Sequence, residues 1–87
     1  MNTDQRLDEI YGELDTLLFD GRYEEADEVL SDVNVNVEPI VILVGYLTIT
    51  FEWRDVLLER TPLMHAIRAR VENELPERAE GILGGLD

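Results

Sequence analysis

Residues 40–51 form the segment that any fold of this chain must accommodate first. Ile40, Val41, Ile42, Leu43 and Val44 run without a polar break, and Gly45, Tyr46, Leu47, Thr48, Ile49, Thr50 and Phe51 follow with only three hydroxyls among them. Twelve residues are too few for a membrane span of roughly 20. The segment must therefore be buried in protein. Its β-branched residues favour a strand. Its length favours a helix, because strands usually run about 4–8 residues, and a lone strand would lack a partner within the chain. Proline suits the first turn of a helix, and Glu38-Pro39 opens the segment. These points together predict a buried helix over 39–50, with Gly45 allowing close backbone packing.

What surrounds this segment is short and acidic. Eighty-seven residues make one domain, and a chain of that size has a marginal core. No cysteine is present. Disulfides, thiolate metal sites and a thiol nucleophile are thereby excluded, so the core must suffice or association must add to it. Twenty acids oppose seven arginines, no lysine occurs, and the net charge is −13. Residues 1–38 carry −10, residues 39–71 carry +1 and residues 72–87 carry −4. Such a balance disfavours direct nucleic-acid binding, which needs basic groups to replace counterions, and binding to anionic membrane surfaces. The first residues lack the basic and apolar regions of a signal peptide. A cytoplasmic location is the default expectation.

The remaining helices follow from spacing. Leu7, Ile10, Tyr11, Leu14, Leu17 and Leu18 share one helical face over 4–19, opposite Asp8, Glu9, Glu13 and Asp15. Asn2 and Gln5 have the spacing of a capping box, and Asp20-Gly21 ends the helix. A second helix spans 23–31, with Tyr23, Ala26, Val29 and Leu30 facing the first, and the short link makes the two antiparallel neighbours. Trp53, Val56 and Leu57 suggest a further helical turn. Thr61 as N-cap before Pro62 predicts a last long helix over 62–75, lined by Leu63, Ile67, Val71 and Leu75. Arg68 with Glu72 and Arg70 with Glu74 are spaced for i,i+4 pairs. The expected fold is all-α, a small bundle of four to five helices opening with an antiparallel helical hairpin. Residues 1–75 form the domain, and 76–87 a flexible tail or an apolar anchor.

The segment Gly21-Arg22-Tyr23-Glu24-Glu25-Ala26 resembles the Gly-x-Tyr-x-x-Ala turn of a tetratricopeptide repeat, with Leu30 four residues after the alanine and Pro39 near the repeat's closing proline. The resemblance covers residues 10–39 as a single copy. Glu13 and Leu14 depart from the family's preferences in the first helix, and solenoids usually need about three repeats. The resemblance implies a helical hairpin and a protein-binding role.

No catalytic constellation emerges. Asp32-Val33-Asn34-Val35-Asn36 imitates the start of a calcium loop, but Val37 stands where glycine is needed and Leu43 where the bidentate glutamate is needed. His65 is the only histidine and Ser31 the only serine. Acid pairs such as Glu24 with Glu28 lie on a polar helix and should be solvated, so their pKa values stay together. No catalytic, metal-binding or cofactor-binding residue is expected. Trp53 and Arg54 are the leading interface candidates, because tryptophan and arginine are enriched in binding hot spots. Phe51, Tyr46, Leu57, Ile82, Leu83 and Leu86 join them as apolar candidates. The expected role is a non-enzymatic adaptor or assembly protein that binds protein through an apolar helical surface, and self-associates as a homodimer through the middle and last helices. The alternatives are an acidic inhibitor that mimics nucleic acid and binds a basic protein, and a structural component of a larger assembly such as a viral particle.

Overall fold

A computed structural model describes residues 2–84. In chain order its helices are α1 (Thr3–Phe19), α2 (Tyr23–Ser31), α3 (Ile40–Glu52), α4 (Thr61–Glu74) and α5 (Ala79–Leu83), with a single 3-10 turn at Leu58–Arg60 before α4. The protein is a small all-α bundle, and the described residues include no strand.

Helix α1 starts at the expected capping box. The Gln5 amide donates to Asn2 Oδ1 at 2.8 Å, and the Asn2 amide donates back to Gln5 Oε1 at 3.4 Å. Two of the orphan N–H groups of the first turn are thereby satisfied. Gly21 ends the helix with a φ of +78°, a conformation that costs glycine little. The Arg22 amide then donates to the Leu17 carbonyl at 2.8 Å, and the chain reverses into α2. The two helices form the antiparallel hairpin that the spacing predicts.

Helix α3 is the centre of the bundle. It packs against α1 on one side and α4 on the other. A helix apolar all round has to be enclosed, and here Ile42, Leu43, Gly45, Leu47, Ile49 and Thr50 are all buried. The β-branched residues do not make a strand, because neighbours cover both sides of a helix whose own backbone bonds are already closed. The two threonine hydroxyls are also satisfied within it. Thr48 Oγ1 donates to the Val44 carbonyl at 2.9 Å, and Thr50 Oγ1 to the Tyr46 carbonyl at 2.8 Å. Gly45 faces α1, where a Cβ would lie 2.7 Å from Leu7 Cδ2. A methyl group there would have to displace the flexible end of Leu7, and a larger side chain would also crowd Tyr11.

The core has two halves that meet at α3. Leu43 and Leu47 pack with Met64, Ile67 and Val71 of α4 and with Ala79 and Leu83 of α5. Ile49 packs with Leu14 and Leu18 of α1, Ala26 and Leu30 of α2, and Leu57. Tyr46 and Leu63 touch both halves. Each fully buried leucine stabilises the fold by about 2 kcal/mol relative to an exposed one.

Two expectations need correction. Thr61 does not cap α4: the 3-10 turn runs straight into the helix, Thr61 is already helical (φ −54°, ψ −43°), and its hydroxyl donates to the Leu58 carbonyl at 2.8 Å. The carbonyls of the preceding turn take the part of a cap. Residues 76–84 are not a loose tail. They make a turn and α5, and bury Ala79 and Leu83 against α3 and α4, because these two residues lie four apart and share one helical face. The link between α2 and α3 makes a turn at 34–38, where the Val37 and Glu38 amides donate to the Asn34 carbonyl. The Asn36 amide donates to Asn34 Oδ1 at 3.0 Å, and Arg70 of α4 holds the turn in place by donating to the Val35 and Glu38 carbonyls while pairing with Glu74.

Candidate protein-binding surface

The end of the bundle where α1 turns into α2 lies beside the end of α3. Phe19 is the last residue of α1, Tyr23 the first of α2, and Trp53 follows α3 directly. The Phe19 and Trp53 rings meet edge to face, with centroids 5.2 Å apart and planes at 84°. Tyr23 also lies near Trp53, its ring tilted by 44° and its centroid 6.4 Å away. Aromatic edges prefer this arrangement because a positive ring edge meets a negative ring face.

Trp53 is half-buried and anchors the cluster in the core half built by α1 and α2. Its two partners face water, with Phe19 75% exposed and Tyr23 39% exposed. The apolar surface continues past Tyr23 into a groove of about 540 Å³ between α2 and the 3-10 turn. Val56 and Leu58 line its far side, and Leu58 is 69% exposed. Glu24, Asp27, Glu28 and Glu59 stand around it.

Local chain geometry explains why these side chains point outward. Leu18 and Phe19 are consecutive on a helix, so they project about 100° apart, and burial of Leu18 sends Phe19 out. Leu57 and Leu58 face the same choice in a tight turn: Leu57 is buried and Leu58 is left outside. The turn itself is held by the Val56 and Leu57 amides, both donating to the Trp53 carbonyl at 3.0 Å.

The arginines near this surface are committed elsewhere. Arg22 pairs with Glu25, and the hydrogen bond from Arg22 holds the Glu25 carboxyl below the usual carboxylate range. Arg60 Nε lies 2.8 Å from Asp27 Oδ1 and ties the 3-10 turn to α2. That contact is a close ion pair rather than an aligned hydrogen bond, and neither atom has a hydrogen-bond partner. Arg54 lies over the Phe51 ring at 4.3 Å and donates to the Phe51 carbonyl at 2.8 Å.

The sequence-based candidates divide accordingly. Trp53 joins the exposed surface and Arg54 lies beside it in sequence. Phe51 and Tyr46 are half-buried against the core. Burial and the nearby Glu38 carboxylate push the Tyr46 hydroxyl above its ordinary pKa. Leu57 and Leu83 are core residues, closed off from any partner. Ile82 is half-buried and lines a second, apolar groove of about 320 Å³ with Leu7, Tyr11, Val41, Val44 and Arg78. Leu86 lies outside the described residues. Phe19, Tyr23, Val56 and Leu58 were not among the candidates. Tyr23, expected to face α1, packs against Trp53 at the turn end of the hairpin. A usable signal existed in the paired apolar residues Leu18-Phe19 and Leu57-Leu58, only one of which can face inward.

Self-association is expected through α3 and α4, and outside the groove lined by Ile40, Val41 and Val44 these helices present little exposed apolar surface. The only large apolar side chain on either helix that is exposed is Val41, at 50%. Every described carboxylate is exposed or half-buried, and His65 is exposed. Among the described residues no group of histidine, aspartate and glutamate side chains could hold a metal ion. No described helix is long and apolar enough to cross a membrane. Comparison with known proteins finds no matching family model, no matching curated protein and no matching solved structure.

Proposed function

We propose that this chain is a non-enzymatic protein-binding module, and that it binds through the surface formed by Phe19, Tyr23 and Trp53 with Val56 and Leu58. The observation that carries this reading is the pair of exposed rings, Phe19 and Tyr23, seated on the half-buried Trp53 of a bundle that encloses most of its other large apolar side chains. A contiguous apolar surface of this kind marks an interaction site more often than scattered single residues do. Aromatic side chains bring large contact area at low entropic cost and dominate binding hot spots. Trp53, anchored from below, holds the other two rings in place before a partner arrives, which reduces the ordering cost of binding. The likeness of residues 21–26 to the turn of a protein-binding repeat points the same way.

The test is capture from extracts of the native host. Immobilised wild-type chain should enrich specific proteins, identified by mass spectrometry, and the Phe19→Ala/Leu58→Ser variant should lose them. Equal capture by both forms refutes the reading.

A second reading, mimicry of nucleic acid, draws on the outward face of α1. Asp4, Asp8, Glu9 and Glu13 are all exposed there and have no ion pairs among the described residues. Capture that survives the Phe19→Ala/Leu58→Ser change but falls steeply with salt favours this reading.

A further inference from the structure

We infer that the partner presents a basic segment with an apolar anchor: a side chain such as leucine that sits on Tyr23, Val56 and Leu58, flanked by arginines or lysines that meet Glu24, Glu28 and Glu59. This inference rests on the reading that the aromatic surface binds protein, and it specifies the chemistry of what binds.

The argument is one of charge around an apolar floor. The groove between α2 and the 3-10 turn has Tyr23, Val56 and Leu58 as its apolar lining and carboxylates on both sides. The two segments that build this end of the bundle, residues 19–28 and 52–60, carry eight carboxylates against three arginines, a balance of −5. The arginines do not neutralise the rim. Arg22 is held by Glu25, Arg60 by Asp27, and Arg54 by the face and carbonyl of Phe51. Glu24, Glu28 and Glu59 have no ion pair among the described residues.

These facts discriminate among occupants. An acidic or neutral apolar segment could cover the floor, but it would bring the three carboxylates close to low-dielectric material without giving them a counter-charge, which is costly. A basic segment supplies the counter-charge and covers the floor together. A second copy of this chain fits poorly. A twofold interface places the same patch on both sides, so the carboxylate rim would face its own image in a protein of net charge −13. The Asp27–Arg60 ion pair joins α2 to the 3-10 turn beside the groove.

Trp53 is the only tryptophan, so its fluorescence reports on this surface alone. Three synthetic peptides of equal length serve as probes: one alternating arginine pairs with leucine pairs, one with glutamate in place of the arginines, and one with serine in place of the leucines. Titration of the full chain should show binding of the arginine–leucine peptide at least tenfold tighter than either of the others. The amide signals that move in two-dimensional NMR should centre on Tyr23, Val56, Leu58 and Phe19. Replacing Glu24, Glu28 and Glu59 together by glutamine should weaken that peptide by about tenfold, at roughly a factor of two for each exposed pair. These glutamates are solvent-exposed, so the helical circular dichroism of the variant should match the wild type.

Equal binding of the arginine–leucine and arginine–serine peptides overturns the inference, because charge alone then explains the affinity. Equal binding of the glutamate–leucine peptide overturns it too, but leaves the surface as a protein-binding site. Shifts centred on Asp8 and Glu13 of α1 place the peptide elsewhere and also overturn it. So does sedimentation of the wild type as a dimer that the Leu58→Ser change dissociates, since a second copy then covers the groove. Failure of the underlying reading is recognised separately, by host proteins that are captured equally with and without Phe19 and Leu58.

Discussion

Leu18 and Phe19 are chain neighbours on the last turn of α1, yet the structure gives them opposite environments, 1% and 75% exposed. Replacing each by alanine isolates the consequence. Phe19 has about a quarter of its roughly 200 Å² of side-chain surface covered, mostly by the edge of Trp53, and at ~25 cal/mol per Å² that contact contributes about 1 kcal/mol. Alanine returns about 0.5 kcal/mol through its higher helix propensity. The net cost of Phe19→Ala should therefore stay under about 1 kcal/mol. Leu18→Ala removes a fully buried side chain and leaves a cavity among Leu14, Ala26, Leu30 and Ile49, at a cost of about 3–5 kcal/mol. A domain of this size has a total stability on the order of 4–13 kcal/mol, so Leu18→Ala should leave it near unfolding. Thermal melts followed by circular dichroism at 222 nm read the difference. Each kcal/mol corresponds to roughly 4–8 °C in Tm, which places Phe19→Ala within about 8 °C of wild type and Leu18→Ala more than about 12 °C below it. A loss above about 2 kcal/mol for Phe19→Ala, or equal losses for the two variants, refutes the outward placement of Phe19. The functional argument for the aromatic surface would then lose its basis.

Gly45→Val should destabilise the fold by about 2–3 kcal/mol in urea titration, because its Cβ meets Leu7 Cδ2 at 2.7 Å and its branches extend toward Tyr11, whereas Gly45→Ala gains helix propensity against the same displacement of a flexible leucine end and should shift stability by less than about 1 kcal/mol. Thr50→Val should cost no more than about 1 kcal/mol, although Thr50 is fully buried, because the Tyr46 carbonyl to which its hydroxyl donates also accepts a helical N–H. The raised pKa of Tyr46 gives a sign for pH dependence. The unfolded chain loses that proton first, so the contribution is complete below about pH 10 and is lost as pH rises through the folded value; melts between pH 8 and pH 11.5 should fall less steeply for Tyr46→Phe than for wild type. Arg70→Gln should loosen the turn at 34–38, seen as faster amide hydrogen exchange at Val37 and Glu38, since Arg70 is what ties the Val35 and Glu38 carbonyls to α4.

Within any one segment the chain states its own structure. Apolar spacing locates α1 and α2, the Asn2–Gln5 box marks the first start, Gly21 marks the reversal, and the length of the run at 40–51 selects helix over strand. Charge separates an acidic hairpin from a neutral centre without any coordinates. What spacing cannot supply is phase between segments. Helix α3 is apolar on every side, so its pattern carries no preferred face, and only the presence of α1 and α4 decides that Gly45 meets Leu7 while Leu43 and Leu47 meet α4. The same holds where two apolar residues adjoin. Leu18-Phe19 and Leu57-Leu58 each offer two candidates for one inward position, and the neighbours that fill the interior choose Leu18 and Leu57. Ala79 and Leu83 look like part of a loose tail until α3 and α4 supply a surface for so short a helix to cover. The binding surface belongs to this second category. Its five apolar residues come from three separate segments, and two of them, Phe19 and Leu58, face water because packing takes the other member of each apolar pair inward.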